Sequence, residues 1–203
     1  MKLYDFHDSG NGYKVRLICA FLGLDYEYVE KDITKGETHT PEFLAKNANG
    51  RIPLLELDDG TCLPESNAIL NYLADGSAWL PSDRLARARV LQWMFFEQYT
   101  HEPSIAVARY IVRHTPDDHP RRAELPALRE KGHAALGVMA EQLAKTPWLI
   151  GDTPTIADIA LFAYTHVAHH ADIDVGEHPP VEDWLARFRA IDGFVPIETT
   201  EQP

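Results

Sequence analysis

Residues 52–70, IPLLELDDGTCLPESNAIL, contain the signals for a β-hairpin followed directly by a helix. The first residues read as a strand that opens with a proline, a position in a strand where proline is tolerated. Asp59-Gly60 is typical of a tight hairpin turn, and a short returning strand ends near Leu63. Ser66 then begins a helix. Its apolar side consists of Ile69, Leu70, Tyr72 and Leu73.

The segments that precede this stretch alternate between strand and helix. Residues 2–7 alternate in the manner of a strand, and residues 13–24 carry apolar residues at helical spacing. Residues 26–33 read as a further strand, and Pro41 begins a short helix with Thr40 as its N-cap. The first eighty residues are therefore predicted to have the element order β-α-β-α-β-β-α.

The chain changes character after residues 79–81, Trp-Leu-Pro. From there helical periodicity dominates, with one helix predicted over residues 83–114 and a second over 121–145. Prolines separate these helices from each other and from the C-terminal third of the chain. A part with strands followed by an all-helical part indicates two packed units. We predict a first domain at residues 1–78, a linker at 79–84 and a helical domain at 85–203.

The composition is that of a globular protein with a strong negative charge. The 203 residues are 45% hydrophobic, which permits a sizeable core. The net charge of -12 argues against nucleic acid or an anionic membrane as the main partner. There are only two cysteines, no signal-peptide pattern and no apolar run as long as a bilayer span. We therefore expect a soluble, cytoplasmic protein in a reducing compartment.

The segment SGNGYK, residues 9–14, lies between the first strand and the first helix. Backbone N–H groups and the positive end of the helix dipole stabilise an anion at such a place. The Ser9 hydroxyl or the Asn11 amide could donate a hydrogen bond to the thiolate of a bound thiol. Alternatively, these residues only cap the helix while the glycines shape the turn.

Two further features lie at the two ends of the hairpin. A cis bond between Ile52 and Pro53 would present the Ile52 backbone to an extended peptide ligand, although a plain strand-opening proline is the alternative. At the other end we expect Ser66 to be a helix N-cap, so that a hydroxyl and free N–H groups suit a carboxylate. Glu65 beside it suits an ammonium group. Together these charges match those of an α-amino acid.

The three features in this order resemble the glutathione transferase superfamily over essentially the whole chain. The SGNG loop is most similar to bacterial members in which Ser or Thr is followed two residues later by Asn. A second signature of that family is matched by GDTPTIAD, residues 151–158. We read it as a capping box between Thr155 and Asp158 with a structural role. The resemblance implies a thioredoxin-like α/β domain, an all-α C-terminal domain and a homodimer.

The resemblance also implies a function. Ser9 or Asn11 would activate the thiol of glutathione, the co-substrate, for attack on a small hydrophobic electrophile, as in a detoxifying glutathione transferase. The implied glutathione-binding residues are Thr38, His39, Arg51, Ile52, Pro53, Glu65 and Ser66. Some bacterial members reduce disulfides instead, so a glutathione-dependent disulfide reductase or peroxidase is one alternative. A non-catalytic binding module of the same fold is another.

The first long helix is predicted to carry a polar stripe. The stripe consists of Tyr99, Glu102, Ala106, Arg109 and Arg113, at helical spacing. The opposing set, predicted to be core, consists of Trp93, Phe96, Thr100 and Val107. The resemblance makes Tyr99, Glu102 and Arg109 candidates for the electrophile pocket or the subunit interface. Solvated salt bridges are the alternative interpretation of the stripe.

We expect neither a metal site nor a reactive cysteine. His166 and His170 are four residues apart, a spacing that can bind a metal. The sequence, however, fixes no third ligand and places no Glu between them in the manner of a metalloprotease. Cys19 lies on the apolar side of the first helix, where cysteine is usually an inert small hydrophobe. Nothing near Cys62 would activate it.

Overall fold

A computed structural model of the chain describes residues 1–200, which form two units. The first unit contains Met1–Asp75 together with residues 192–200, and the second contains Gly76–Ile191. The division predicted from the sequence assigned all of residues 85–203 to the helical domain, so the two divisions differ at the C-terminal end of the chain. Residues 201–203 lie outside the described residues. The hydrogen bonds that hold residues 192–200 in the first unit are the reason for the difference.

The first unit is built on a four-stranded mixed sheet with the strand order β2-β1-β3-β4. The strands are β1 (Lys2–Asp5), β2 (Glu27–Glu30), β3 (Leu54–Glu56) and β4 (Cys62–Pro64). Strand β1 runs parallel to β2 and antiparallel to β3, and β3 runs antiparallel to β4. The predicted α/β thioredoxin-like fold is confirmed.

Three α-helices accompany this sheet. They are α1 (Gly10–Leu22), α2 (Pro41–Lys46) and α3 (Ser66–Ala74). Helix α1 ends at Gly23, whose φ of 62° is a left-handed conformation that glycine adopts easily. Thr40 caps α2 as predicted, since its hydroxyl accepts a hydrogen bond from the Phe43 N–H. The core between sheet and helices contains Leu3, Val15, Cys19, Leu55 and Ile69.

The C-terminal segment, residues 192–200, is bound to α1. The Tyr13 hydroxyl donates to the Val195 carbonyl at 2.6 Å. One Arg16 Nη atom donates to the carbonyls of Ile197 (2.5 Å) and Thr199 (2.8 Å). Because Tyr13 and Arg16 are buried, their polar atoms need protein partners, and these carbonyls provide them.

The second unit is mostly helical. Its helices are α4 (Arg84–Phe96), α5 (Glu102–His114), α6 (Leu125–Leu143), α7 (Ile156–Thr165) and α8 (Pro179–Arg189). Every residue of α7 is buried, which makes it the central helix of the unit. Among the helices of residues 1–200, none is both long enough and apolar enough to cross a membrane.

The predicted capping box at the start of α7 is confirmed. The Thr155 hydroxyl accepts from the Ala157 N–H, and the Asp158 carboxylate accepts from the Thr155 N–H at 2.9 Å. Asp158 also accepts hydrogen bonds from the Leu149 N–H and the Trp184 indole. Burial raises the pKa of Asp158 to about 6, although these hydrogen bonds act in the opposite direction. The carboxylate thus joins α7, α8 and the loop before α7.

A π-helical turn, Glu97–His101, separates α4 from α5, where a single uninterrupted helix was predicted. A π turn contains one residue more than an α-helical turn, so the side chains that follow it are rotated about the helix axis relative to a continuous α-helix. The predicted polar stripe is therefore wrong as a continuous face: Tyr99 is 85% exposed, whereas Arg109 is 4% exposed. The predicted core set is also wrong, because Trp93, Phe96, Thr100 and Val107 are not buried. The buried residues of α4, the π turn and α5 are Val90, Met94, Glu97, His101, Ser104, Ile105, Ala106, Ala108, Arg109 and Ile111.

Candidate functional site

Three loops of the first unit lie at the same end of the strands of its sheet. In the register of the strands, Tyr4 of β1 pairs with Leu54 of β3, and Leu54 pairs with Pro64 of β4. The end of β1, the start of β3 and the end of β4 are therefore neighbours. The loops at these three places carry Ser9, Asn11, Ile52, Pro53, Glu65 and Ser66. The topology thus gathers the sequence features that were singled out separately.

Ser9 is the N-cap of α1. Its hydroxyl oxygen accepts a hydrogen bond from the Gly12 N–H at 3.2 Å. A hydroxyl that accepts one hydrogen bond still has its own proton to donate. Capping and a hydrogen bond to a bound thiolate, the two interpretations of this residue, are therefore compatible.

A buried ion pair between Asp5 and Arg16 lies next to this loop. The Arg16 Nε atom lies 3.1 Å from Asp5 Oδ2, and Asp5 Oδ1 accepts from the Phe6 N–H. Burial raises the pKa of Asp5 to about 7, and the Arg16 charge opposes this rise. A Cβ atom on Gly12 would lie 1.5 Å from Asp5 Oδ1. Only glycine fits at that position, because the carboxylate occupies the space of a side chain.

Asn11 and Ser66 are brought together across the two loops. The Ser66 hydroxyl donates to Asn11 Oδ1 at 3.3 Å. The Ser66 oxygen in turn accepts from the Lys14 ammonium at 3.4 Å. Both Lys14 and Ser66 are buried. Sequence reasoning did not assign Lys14 to the site; its signal was a charged residue within an apolar stretch of α1.

Glu65, and not Ser66, occupies the N-cap position of α3, so the predicted cap is wrong. Ser66 is the first residue of the helix. Glu65 has φ 72° and ψ 111°, a conformation that costs energy for a residue with a Cβ atom. This backbone turn exposes the Glu65 side chain and leaves α3 without a side-chain cap. The N–H groups at the start of α3 can therefore receive an anion.

The peptide bond between Ile52 and Pro53 is cis, as the resemblance implied. Pro53 is buried and Ile52 is half-buried, immediately before β3 begins. Arg51 is exposed, and its carbonyl accepts from the Asn47 amide at 2.8 Å. The Arg51 side chain is thus available at the surface while its backbone is held.

Thr38 and His39 lie against the turn that precedes Arg51. The Thr38 hydroxyl is 3.1 Å from His39 Nδ1. A Cβ atom on Gly50 would come within 3.1 Å of His39 Nε2 and 3.2 Å of the Thr38 carbonyl. Gly50 has φ 61°, so glycine meets both the conformational and the spatial requirement. Thr38 and His39 therefore lie next to Gly50, the residue that precedes Arg51.

One thiol and two phenol groups of the first unit are held away from this loop. Cys19 is buried, as predicted for a small hydrophobic residue, and burial raises the pKa of its thiol to about 12. The Tyr13 hydroxyl is bonded to Val195, and the Tyr4 hydroxyl donates to Glu56 at 2.8 Å. Cys19, Tyr13 and Tyr4 are therefore not offered to a ligand thiol, whereas Ser9 and Asn11 remain the predicted thiol-binding side chains.

The candidates of the second unit differ in accessibility. Tyr99 is exposed, Glu102 is half-buried, and Arg109 is buried with its Nε atom donating to His170 Nδ1 at 3.2 Å. His166 stacks on Phe162, and burial lowers its pKa to about 4. Within residues 1–200, no group of three or more His, Cys, Asp or Glu is placed to hold a metal ion.

The fold and the loops of the first unit define a protein of the glutathione transferase architecture. Residues 1–75 match the family model for the glutathione S-transferase N-terminal domain, and residues 122–187 match the model for its C-terminal domain. The chain belongs to the glutathione S-transferase family.

Solved structures and curated relatives agree with this assignment. A glutathione S-transferase from Pseudomonas fluorescens Pf-5 is 52% identical, with a TM-score of 0.93 over 97% of this chain and 98% of that chain. A glutathione transferase from Burkholderia graminis, crystallised with two glutathione molecules bound per subunit, is 28% identical, with a TM-score of 0.82 over 95% of this chain and 84% of that chain.

Two curated relatives carry different activities in their names. Disulfide-bond oxidoreductase YfcG of Escherichia coli K12 is 30% identical over 91% of this chain and 88% of that protein. A maleylacetoacetate isomerase of Rhizobium meliloti is 31% identical over 95% of this chain and 92% of that protein. Membership of the family is therefore compatible with more than one reaction.

Proposed function

We propose that this chain is a glutathione transferase that binds glutathione on its first unit and activates the thiol at the start of α1. The observation that carries the proposal is the hydrogen bond between Ser66 and Asn11, at 3.3 Å. It joins the loop suited to a thiolate with the helix start suited to an amino-acid carboxylate. Related proteins with bound glutathione support the choice of ligand.

Each part of glutathione has a proposed partner. The γ-glutamyl carboxylate is received by the backbone N–H groups at the start of α3, that of Ser66 among them, and its ammonium is received by Glu65. The Ile52 backbone before Pro53 pairs with the cysteinyl unit. The glycyl carboxylate lies toward the exposed Arg51 side chain. Thr38 and His39, which lie next to Gly50, are proposed to support that end of the ligand.

The chemistry requires a thiolate at neutral pH. A free thiol has a pKa of about 8.5, so few thiols are ionised there. Lowering this pKa by one unit requires about 1.4 kcal/mol of preferential stabilisation of the thiolate. Hydrogen bonds from Ser9 and Asn11, with the positive end of the α1 dipole, supply stabilisation of this size. The sulfur then attacks an electrophilic carbon, forms a C–S bond and displaces the leaving group with its electron pair.

The second unit would supply the electrophile pocket and the subunit contact. Tyr99 is the most accessible of its three candidates, whereas Glu102 is half-buried and Arg109 is buried. Several large apolar side chains on α4 and the π turn are exposed. They support a homodimer, because an exposed apolar patch usually marks a surface that a partner covers. These side chains are Leu85, Leu91, Phe95 and Tyr99. Glutathione is kept reduced in the cytosol, and we propose that the enzyme works there.

Disulfide reduction is a second candidate function. It is supported by the oxidoreductase among the relatives and by the inert state of Cys19, because glutathione itself would then have to provide the attacking sulfur. The glutathione thiolate would attack one sulfur of the disulfide, forming a mixed disulfide and releasing the other sulfur as a thiolate. The same Ser9 and Asn11 groups would serve both reactions.

The proposal is tested in two steps. Calorimetric titration of reduced glutathione into the purified chain should show one site per chain. Turnover is then compared between an aryl halide and a small model disulfide, at equal glutathione. Faster turnover of the aryl halide supports the transferase, and faster turnover of the disulfide supports the reductase. Binding without either reaction would favour a binding module, and no binding would contradict the proposal.

A further inference from the structure

The Lys14 side chain is buried in the first unit and contacts Ser66, one of the proposed glutathione-binding residues. It is 0% exposed, and its ammonium nitrogen is 3.4 Å from the Ser66 hydroxyl oxygen. An ammonium group has three donors and no acceptor, so the direction of this hydrogen bond is determined. Lys14 donates and Ser66 accepts.

This direction affects the next hydrogen bond. With its oxygen accepting from Lys14, Ser66 places its own proton on Asn11 Oδ1, at 3.3 Å. An Asn side chain has one carbonyl oxygen and one amide nitrogen on opposite branches. Because the oxygen of Asn11 is bonded to Ser66, the amide N–H groups lie on the other branch of the side chain and point away from the Ser66 hydroxyl. Those N–H groups are the ones a thiolate requires.

We propose that Lys14 is a positioning residue that orients Asn11 through Ser66 and so couples the amino-acid end of bound glutathione to its thiol. The inference rests on the proposed function, because it concerns the same ligand. A hydrogen bond from a charged donor is stronger than one from a neutral donor, and bonds in a chain polarise one another. The buried charge of Lys14 therefore strengthens the donor that faces the sulfur.

The test compares the Lys14→Met variant with the unmodified chain. Methionine keeps much of the volume of the side chain but removes every donor. The readout is the pKa of the glutathione thiol in the complex, monitored by the ultraviolet absorbance of the thiolate during a pH titration. We expect this pKa to rise by about one unit, which means about tenfold less thiolate at a fixed pH below it. The kcat should fall accordingly, with a smaller change in KM.

Lys46→Met is the matched control. Lys46 belongs to the same unit but pairs with Glu56 away from the three loops. Its replacement removes one positive charge and should leave the pKa of the bound thiol unchanged. An equal rise in both variants would mean that net charge alone matters, and this would overturn the inference.

A double-mutant cycle identifies the route. In the Asn11→Ala background, Lys14→Met should cause no further rise in the thiol pKa, because the group through which it acts is gone. A full further rise would overturn the inference in favour of a direct effect. If Lys14→Met does not fold, Ser66→Ala interrupts the same chain of hydrogen bonds, and an unchanged thiol pKa in that variant would likewise overturn it.

The outcomes also separate this inference from the function on which it rests. If the unmodified chain binds glutathione and lowers its thiol pKa while Lys14→Met does both equally well, only the role of Lys14 is contradicted. If the unmodified chain does not bind glutathione, the proposed function and the inference fall together.

Discussion

Arg16 Nε lies 3.1 Å from Asp5 Oδ2 in a fully buried ion pair beneath the loop that carries Ser9 and Asn11. The same guanidinium also donates to the carbonyls of His7, Ile197 and Thr199. A single side chain therefore links the end of β1, helix α1 and the C-terminal segment. Through these bonds it holds the loop that we propose contacts the glutathione thiol.

Replacing Arg16 by methionine should destabilise the chain strongly. Removing one partner of a buried ion pair leaves the other charge without compensation, which typically costs about 3–5 kcal/mol. Urea denaturation would measure the loss. Arg121→Met is the control, because Arg121 forms an exposed pair with Glu124 and such pairs contribute at most about 1 kcal/mol. Equal losses in the two variants would contradict a special role for the buried pair.

Replacing Gly12 by alanine should be severely destabilising, because the new Cβ atom would lie 1.5 Å from the Asp5 carboxylate. We expect a loss above about 3 kcal/mol or failure to fold. Gly137→Ala in α6 is the matched control: the nearest atom to its Cβ would be 4.0 Å away, and alanine should stabilise that helix by about 0.5–1 kcal/mol. Thermal denaturation of both variants decides the matter, and a Gly12→Ala variant as stable as the unmodified chain would refute the expected clash.

Ser66→Ala and Ser9→Ala should affect different steps. Loss of the Ser66 hydroxyl leaves its buried partners Lys14 and Asn11 without that hydrogen bond at the start of α3, where the γ-glutamyl carboxylate is proposed to bind, and we expect affinity for glutathione to fall by about 1–3 kcal/mol. Loss of the Ser9 hydroxyl should mainly lower turnover, with a stability loss of about 1 kcal/mol from the missing cap. Calorimetry and steady-state kinetics separate the two effects. Unchanged affinity in Ser66→Ala would exclude that residue from binding, and unchanged turnover in Ser9→Ala would transfer the catalytic role to Asn11.

Tyr13→Phe should weaken the attachment of the C-terminal segment. The Tyr13 hydroxyl donates to the Val195 carbonyl in a buried position, and losing that bond should cost about 1–3 kcal/mol because the carbonyl is left unsatisfied. Tyr28→Phe is the control, since its hydroxyl contacts the partly exposed Glu30 and should contribute less than about 0.5 kcal/mol. Limited proteolysis should cut Tyr13→Phe faster near Val195. No difference between the variants would argue against the attachment.

His166 should make the chain less stable in acid. Burial lowers its pKa from 6.5 to about 4, so between these values the unfolded chain binds a proton that the folded chain does not. The free energy of unfolding therefore falls as the pH falls through this window, by at most about 3.4 kcal/mol from this group. His166→Phe keeps the stacking on Phe162 but cannot titrate. The difference in unfolding free energy between the two proteins should change across the window, and a constant difference would contradict the prediction.

The sequence by itself determined the features that depend on near neighbours. The cap of α2 by Thr40 and the Thr155–Asp158 box of α7 require only residues two or three positions apart. The element order of the first unit follows from hydrophobic periodicity in the same way. The site candidates were found because short motifs place hydroxyl, amide and carboxylate groups at strand ends and helix starts.

Only the tertiary structure decided the features that depend on distant partners. The hydrogen bond from Lys14 to Ser66 joins residues 52 positions apart, and that from Tyr13 to Val195 joins residues 182 positions apart. No local sequence pattern therefore predicts either of them. The conformation of Glu65 and the π turn at Glu97–His101 likewise oppose local preference. Such conformations persist because the surrounding packing and hydrogen bonds outweigh their local cost, and that balance is set only when the chain has folded.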